Sequence, residues 1–263
     1  MGKIIAVANQ KGGVGKTTTS VNLSASLAAT KHRVLLIDMD PQGNATMGCG
    51  HDKAKLNVSC CDLLLNEVNF DEVVVNLKQL NLDIIPANSD LTAAEVELLS
   101  IQKGREGRLS EMVRQHKDQY EYIIIDCPPS LNMLTLNALV AADTLLIPMQ
   151  CEYFALEGLS ALMDTLSNIQ ERINPKLKLE GVLRTMYDGR SRLTREVSEE
   201  LVRHFNDKVF RTFIPRNIRL AEAPSHGMPV IHYDKSSKGA LAYLALASEI
   251  VRRDEKESNF SNN

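Results

Sequence analysis

Hydrophobic residues fall along the chain in two alternating patterns. Seven short runs, Lys3 to Ala8, Arg33 to Ile37, Leu82 to Pro86, Tyr122 to Ile125, Thr144 to Met149, Glu180 to Met186 and Val209 to Ile214, predict strands. Several are apolar at consecutive positions, which suits strands covered on both faces and hence a parallel sheet. Longer stretches of helical period separate them: Thr17 to Thr30, Asp90 to Leu99, Arg105 to His116, Met133 to Ala142, Leu156 to Ile173, Thr194 to Phe205 and Ala240 to Arg253. Strand and helix in alternation predict an α/β fold, a mainly parallel twisted sheet flanked by helices on both faces. In such sheets ligands sit beyond the carboxyl ends of the strands. Function is therefore expected just after strands.

Composition narrows the class further. With 263 residues, 44% hydrophobic and 24% charged, the chain is globular, and residues 1–253 are expected to form a single domain with a polar, frayed tail over 254–263. The 30 Lys and Arg against 33 Asp and Glu leave a net charge of −3, so any affinity for nucleic acid must come from a local patch. Ile4 to Ala8 is too short for a secretory core, and the apolar stretches Ala138 to Met149 and Ala240 to Ala247 fall short of the roughly 20 residues of a membrane helix. A soluble cytoplasmic protein with no membrane partner is expected. The five cysteines form no C-x-x-C pair and read as reduced thiols, and the histidines show no zinc spacing with them.

The first predicted strand runs into Asn9-Gln10-Lys11-Gly12-Gly13-Val14-Gly15-Lys16-Thr17, and a helical stretch follows at once. A strand, a glycine loop and a helix N-terminus in this order aim backbone N–H groups at an anion. Lys16 is then placed against the β and γ phosphates of a nucleotide, the Thr17 hydroxyl on a Mg²⁺ bridging them, and Thr18 on the α phosphate. The general pattern G-x-x-x-x-G-K-[ST] is not met, because its first glycine falls on Gln10; the loop reads K-G-G-V-G-K-T, with the additional Lys11. Tyr122-Ile123-Ile124-Ile125-Asp126 delivers a carboxylate from an apolar strand, which makes Asp126 the expected Mg²⁺ partner through water, with a strand-end cap as the alternative. Asp38 and Asp40, in Asp38-Met39-Asp40-Pro41, read either as turn formers or as site carboxylates. In the second case Asp40 orients the water that attacks the γ phosphate and Asp38 belongs to the network near the metal.

The loop resembles that of the deviant Walker A ATPases. Together with D-M-D-P-Q-G-N-A-T at 38 to 46, D-C-P-P-S-L at 126 to 131, C-E-Y-F-A-L-E-G-L at 151 to 159 and F-I-P-R-N-I-R-L-A-E-A-P-S-H-G at 213 to 227, it makes residues 1 to about 253 similar to the chromosomal ParA/Soj partition ATPases. The resemblance implies a P-loop ATPase using ATP and Mg²⁺, with slow intrinsic turnover. It implies a homodimer that sandwiches two ATP molecules, with Lys11 reaching the partner's phosphates in trans. Lys11, Gly12, Gly13, Val14, Gly15, Lys16, Thr17 and Thr18 would bind the phosphates, and Met186, Pro215 and Asn217 would border the adenine. Lys11, Lys16 and Asp40 would act in catalysis.

The resemblance further implies non-specific binding of double-stranded DNA on the nucleoid and a centromere-binding ParB-type partner that stimulates hydrolysis. Charge supports a patch, since residues 184 to 238 hold eleven Lys and Arg against seven Asp and Glu, a net of +4 that leaves −7 elsewhere. Arg190, Arg192, Arg195, Arg216, Arg219, Lys235 and Lys238 are the candidate phosphate contacts. A solvated face with intramolecular pairs, such as Arg195 with Glu199, is the alternative. Two other readings share the scaffold: a MinD-like membrane switch, which needs a basic amphipathic terminal helix where this chain has Asp254-Glu255-Lys256-Glu257, and a metabolic enzyme, either a ligase or an iron–sulfur reductase.

Overall fold

The computed structural model describes residues 2–153 and 155–261. Its strands are β1 (Lys3–Val7), β2 (Val34–Asp38), β3 (Val75–Leu77), β4 (Leu82–Ile85), β5 (Tyr122–Asp126), β6 (Thr144–Gln150) and β7 (Lys178–Thr185). They form one sheet in the order β3-β4-β2-β5-β1-β6-β7. Every pairing is parallel except that of β3 with β4.

Alternate residues of each strand point to opposite faces, and both faces are filled. Ile4 and Ala6 join one apolar cluster, Ile5 and Val7 the other. All five residues of β2 and all five of β5 are buried, which explains why their sequences do not alternate and stay apolar up to the final Asp38 and Asp126. The first face is covered by α3 (Cys60–Leu64), α4 (Phe70–Val73), α5 (Leu91–Ser100), α6 (Arg108–Gln115), α7 (Met133–Ala141), α8 (Ala155–Arg172) and α9 (Arg192–Phe205). The second is covered by α1 (Lys16–Ala29), α2 (Asn44–Gly48), α11 (Val230–Tyr233) and α12 (Lys238–Ser261), with α10 (Ile218–Glu222) at its margin through Leu220.

Two local expectations are corrected and one strand is added. Val209 to Ile214 is not a strand; it touches the sheet edge through an isolated bridge from Val209 to Val182, and Tyr187 meets Pro215 in another. The backbone N–H groups of Arg211 and Thr212 instead donate to the Glu249 carboxylate, each at 2.9 Å, so a side chain of α12 interrupts the ladder between the Phe210 and Ile214 N–H groups, which donate to the Val182 and Arg184 carbonyls. The three-residue β3 is too short to leave a pattern in the sequence. Finally, α12 continues past Arg253 to Ser261, where a frayed tail is expected from polarity alone. Asp254 anchors that extension, accepting from the Lys3 ammonium at 2.5 Å and the Tyr122 hydroxyl at 2.9 Å. The tail positions Asn262 and Asn263 lie outside the described residues, as does Phe154 of the C-E-Y-F motif.

Candidate nucleotide site

Parallel pairing brings the carboxyl ends of the central strands to one edge of the sheet. Val7 of β1 is level with Asp126 of β5, and Asp38 of β2 is level with Asp126 from the other side. The glycine loop leaves β1 at this edge and enters α1 through Gly15, whose φ of 88° is left-handed. Gly13 has φ 72° and, like Gly12, nothing within 4 Å of a Cβ placed on it, so the loop's outer surface is open to a ligand. Val14 is buried, and its carbonyl accepts from the Thr185 hydroxyl at the end of β7 at 2.7 Å. Gln150, the last residue of β6, donates to the Gly13 carbonyl at 3.1 Å.

Lys16 is buried and its ammonium donates to the Lys11 carbonyl at 3.1 Å. Burial pushes its pKa down, while the negative charges of Asp126 and Asp40 work the other way. Lys11 sits at the outer rim, its backbone N–H held by the Asn9 side chain at 3.0 Å and its ammonium by Glu152 at 2.5 Å. Thr17 and Thr18 lie half-buried on the first turn of α1.

The carboxylates divide by their partners. Both Asp38 oxygens are occupied, Oδ1 by the Asp40 N–H at 3.2 Å and Oδ2 by the Thr46 N–H and hydroxyl at 2.8 and 2.7 Å. Asp40 accepts from the Gln42 N–H at 2.9 Å, which shapes the turn before α2. The turn reading of these two aspartates is thus part of the geometry, and it also fixes them beside the loop. Asp126 differs. Its Oδ1 accepts from the Ser20 hydroxyl at 2.8 Å, whereas its Oδ2 is buried with no hydrogen-bond partner among the described residues. Burial, then the charge of Asp38, raises the Asp126 pKa, and the Ser20 and Thr17 hydroxyls counter this. Burial likewise raises that of Asp38.

An orphaned carboxylate oxygen beside a threonine hydroxyl is an oxygen donor set of the kind that hard divalent cations take. The residues therefore fit Mg²⁺, which Thr17 and, through water, Asp126 would hold.

A second wall stands where β7 ends. Met186 has φ 48°, and its sulfur accepts from Gln150 at 2.9 Å. Tyr187 donates its N–H to the Ile214 carbonyl at 3.0 Å and forms a bridge with Pro215, which brings Met186 and Pro215 into one neighbourhood. Asn217, two residues further on, has a buried side-chain oxygen without a hydrogen-bond partner among the described residues. An amide oxygen in this state is suited to receive a donor from a ligand, such as an exocyclic amine.

Comparison with known proteins fits this geometry. A family profile described as an AAA domain matches residues 2–179. Soj of Bacillus subtilis, named a sporulation initiation inhibitor protein, is 54% identical over 251 residues, spanning 95% of this chain and 99% of its own. The chromosome partitioning protein ParA of Myxococcus xanthus is 50% identical over 258 residues, spanning 98% of this chain and 91% of its own. This chain belongs to the ParA/Soj family of chromosome-partitioning ATPases. A crystal structure from Mycobacterium smegmatis, described as a cobyrinic acid a,c-diamide synthase with bound ATP analogue and magnesium, superposes with a TM-score of 0.84 at 39% identity over 97% of this chain and 96% of that one.

In this ParA/Soj ATPase the basic candidates separate into two groups. Arg190 pairs with Asp188 at 2.8 Å, Arg192 with Glu196 at 2.7 Å, and Arg219 with Glu222 at 2.8 Å and Asp234 at 3.3 Å. Arg195 donates to the Gly189 carbonyl at 3.1 Å, not to Glu199. Arg216, Lys235 and Lys238 have no ion pair among the described residues. No described helix is long and apolar enough to cross a membrane.

Four contributors went unassigned from sequence: Ser20, Thr46, Gln150 and Thr185. Ser20 and Thr46 carry one signal, a hydroxyl on the first helical turns after a site strand. Gln150 and Thr185 carry another, a polar residue closing an apolar strand.

Proposed function

We propose that this ParA/Soj ATPase is an ATP-dependent dimerising switch for chromosome segregation. ATP closes two protomers into a sandwich, the dimer grips double-stranded DNA without sequence preference, and a ParB-type centromere-binding partner stimulates hydrolysis, after which the ADP form lets go. The observation that carries this reading is the pair of loop lysines. Lys16 is buried within its own loop, whereas Lys11 stands on the rim, its side chain 53% exposed, where a second molecule can be reached.

In the reaction Lys16, Thr18 and the loop amides hold the phosphates, while Lys11 of one protomer steadies charge on the other's nucleotide. Asp40 orients the attacking water. Mg²⁺ held by Thr17 and, through water, Asp126 would supply positive charge that offsets the charge of the phosphates. Met186, Pro215 and Asn217 enclose the base. Around residues 184 to 238 the basic surface of two protomers combines, and DNA affinity falls steeply with salt as counterions are released.

The test is DNA retention compared across ATP, ADP and no nucleotide, repeated with Lys16→Ala. Retention is expected with ATP alone and is lost in the variant. Equal retention in all three states would remove the coupling on which the switch depends.

A further inference from the structure

The end of β6 and the turn that follows it each touch the glycine loop. Gln150 donates to the Gly13 carbonyl at 3.1 Å, and two residues on, Glu152 takes the Lys11 ammonium at 2.5 Å. The turn that presents Glu152 is tight, with the Glu152 N–H on the Gln150 carbonyl at 2.9 Å and the Ala155 N–H on the Glu152 carbonyl at 3.0 Å. A carboxylate on so short a tether is a defined acceptor. It occupies the cation that the dimer would lend to its partner.

We propose that Glu152 is a positioning residue for Lys11: in the free protomer it holds the ammonium over its own loop, and ATP-driven dimerisation must exchange that carboxylate for the partner's phosphates. The inference rests on the trans role of Lys11 given above. It adds a threshold. A triphosphate carries more charge than one carboxylate and wins the exchange, whereas a protomer pair without a γ phosphate has less to offer, so the contact biases ADP-bound chains toward separation.

The size of the effect follows from exposure. Both side chains are about half exposed, 53% for Lys11 and 50% for Glu152, so solvent screens the pair. A pair of this kind shifts an equilibrium by about 1.4- to 5-fold, and two are broken per dimer, which gives about 2- to 30-fold in the dimer dissociation constant.

The experiment is sedimentation equilibrium of the full chain with Mg²⁺ and a non-hydrolysable ATP analogue, for wild type, Glu152→Gln, Glu152→Ala and Lys11→Ala. Both Glu152 variants should dimerise about 2- to 30-fold more tightly than wild type, and the difference should shrink between about 0.05 and 0.5 M salt, where an exposed pair is screened. Unaltered binding of a fluorescent ADP analogue by the two Glu152 variants shows that their nucleotide site remains intact. Dimerisation equal to or weaker than wild type in the Glu152 variants, with Lys11→Ala monomeric, overturns the proposal and leaves the trans lysine standing. Wild-type dimerisation by Lys11→Ala overturns the trans lysine itself, and the role of Glu152 with it.

Discussion

Replacing Asp126 with asparagine keeps the side chain's shape and removes its charge. This carboxylate is fully buried, with the Ser20 hydroxyl on Oδ1 at 2.8 Å and no partner among the described residues on Oδ2. A buried acceptor left unpaired costs about 1–3 kcal/mol, and more when charged. On the proposed reading, that oxygen is kept for Mg²⁺. Burial and the neighbouring Asp38 raise the Asp126 pKa above its unfolded value. Between those two values the folded chain binds more protons than the unfolded one, so stability falls as pH rises through the window. Asparagine removes the charge, and with it the slope and the ionic part of the cost, while its amide stays buried. At about 2–4 °C per kcal/mol for a chain of this size, Asp126→Asn should raise the unfolding midpoint by roughly 2–12 °C near pH 8. The gain should be smaller near pH 5, where the wild-type acid is closer to neutral. Calorimetry in EDTA without nucleotide reads this directly, and Mg²⁺-dependent phosphate release by the variant should fall to background. A midpoint at or below wild type near pH 8, or a gain as large near pH 5, refutes the account of Asp126 as a carboxylate held strained for a metal.

Three further outcomes follow from particular contacts. Gly43 has φ 58° and a Cβ there would lie 2.5 Å from the Ala87 carbonyl oxygen, so Gly43→Ala should lower stability by about 1–3 kcal/mol in urea titration and displace the Asp40 turn. Glu249→Gln loses charge-assisted bonds from Arg211, Thr212 and Arg253 and should cost about 1.5–3 kcal/mol near neutral pH. Burial alone would raise the Glu249 pKa, but those donors hold it below its ordinary value, so the difference from wild type is present above the unfolded pKa and fades as pH falls through the folded one. In DNA-binding isotherms with ATP, Arg216→Ala, Lys235→Ala and Lys238→Ala should each reduce the salt slope by about 1, whereas Arg192→Ala, whose side chain is already paired with Glu196, should change it less.

Sequence made the site legible wherever chemistry is concentrated in consecutive residues. The glycine loop announces itself because three glycines, a lysine and a threonine must follow a strand directly, and Asp126 because four apolar residues precede it. What stayed hidden acts across distance. The Ser20 hydroxyl meets Asp126 from 106 positions away, and Thr185 meets Val14 from 171, so neither has a local signature. The misread segment Val209 to Ile214 shows the same limit from the other side: its apolar residues suit a strand, but Glu249, 38 positions from Arg211, supplies the partner that a ladder would have supplied. These distant contacts also explain why base and phosphate recognition belong together. Gln150 bonds both Gly13, which on the proposed reading faces the phosphates, and Met186, which would open the base wall, while Thr185 ties the root of that wall to Val14. A nucleotide that orders one wall therefore restrains the other through β6 and β7, and the same β6 end carries Glu152 against Lys11. In the proposed dimer, occupancy of the base wall and release of the rim lysine would thus be linked through one strand end, the physical link that a nucleotide-operated switch requires.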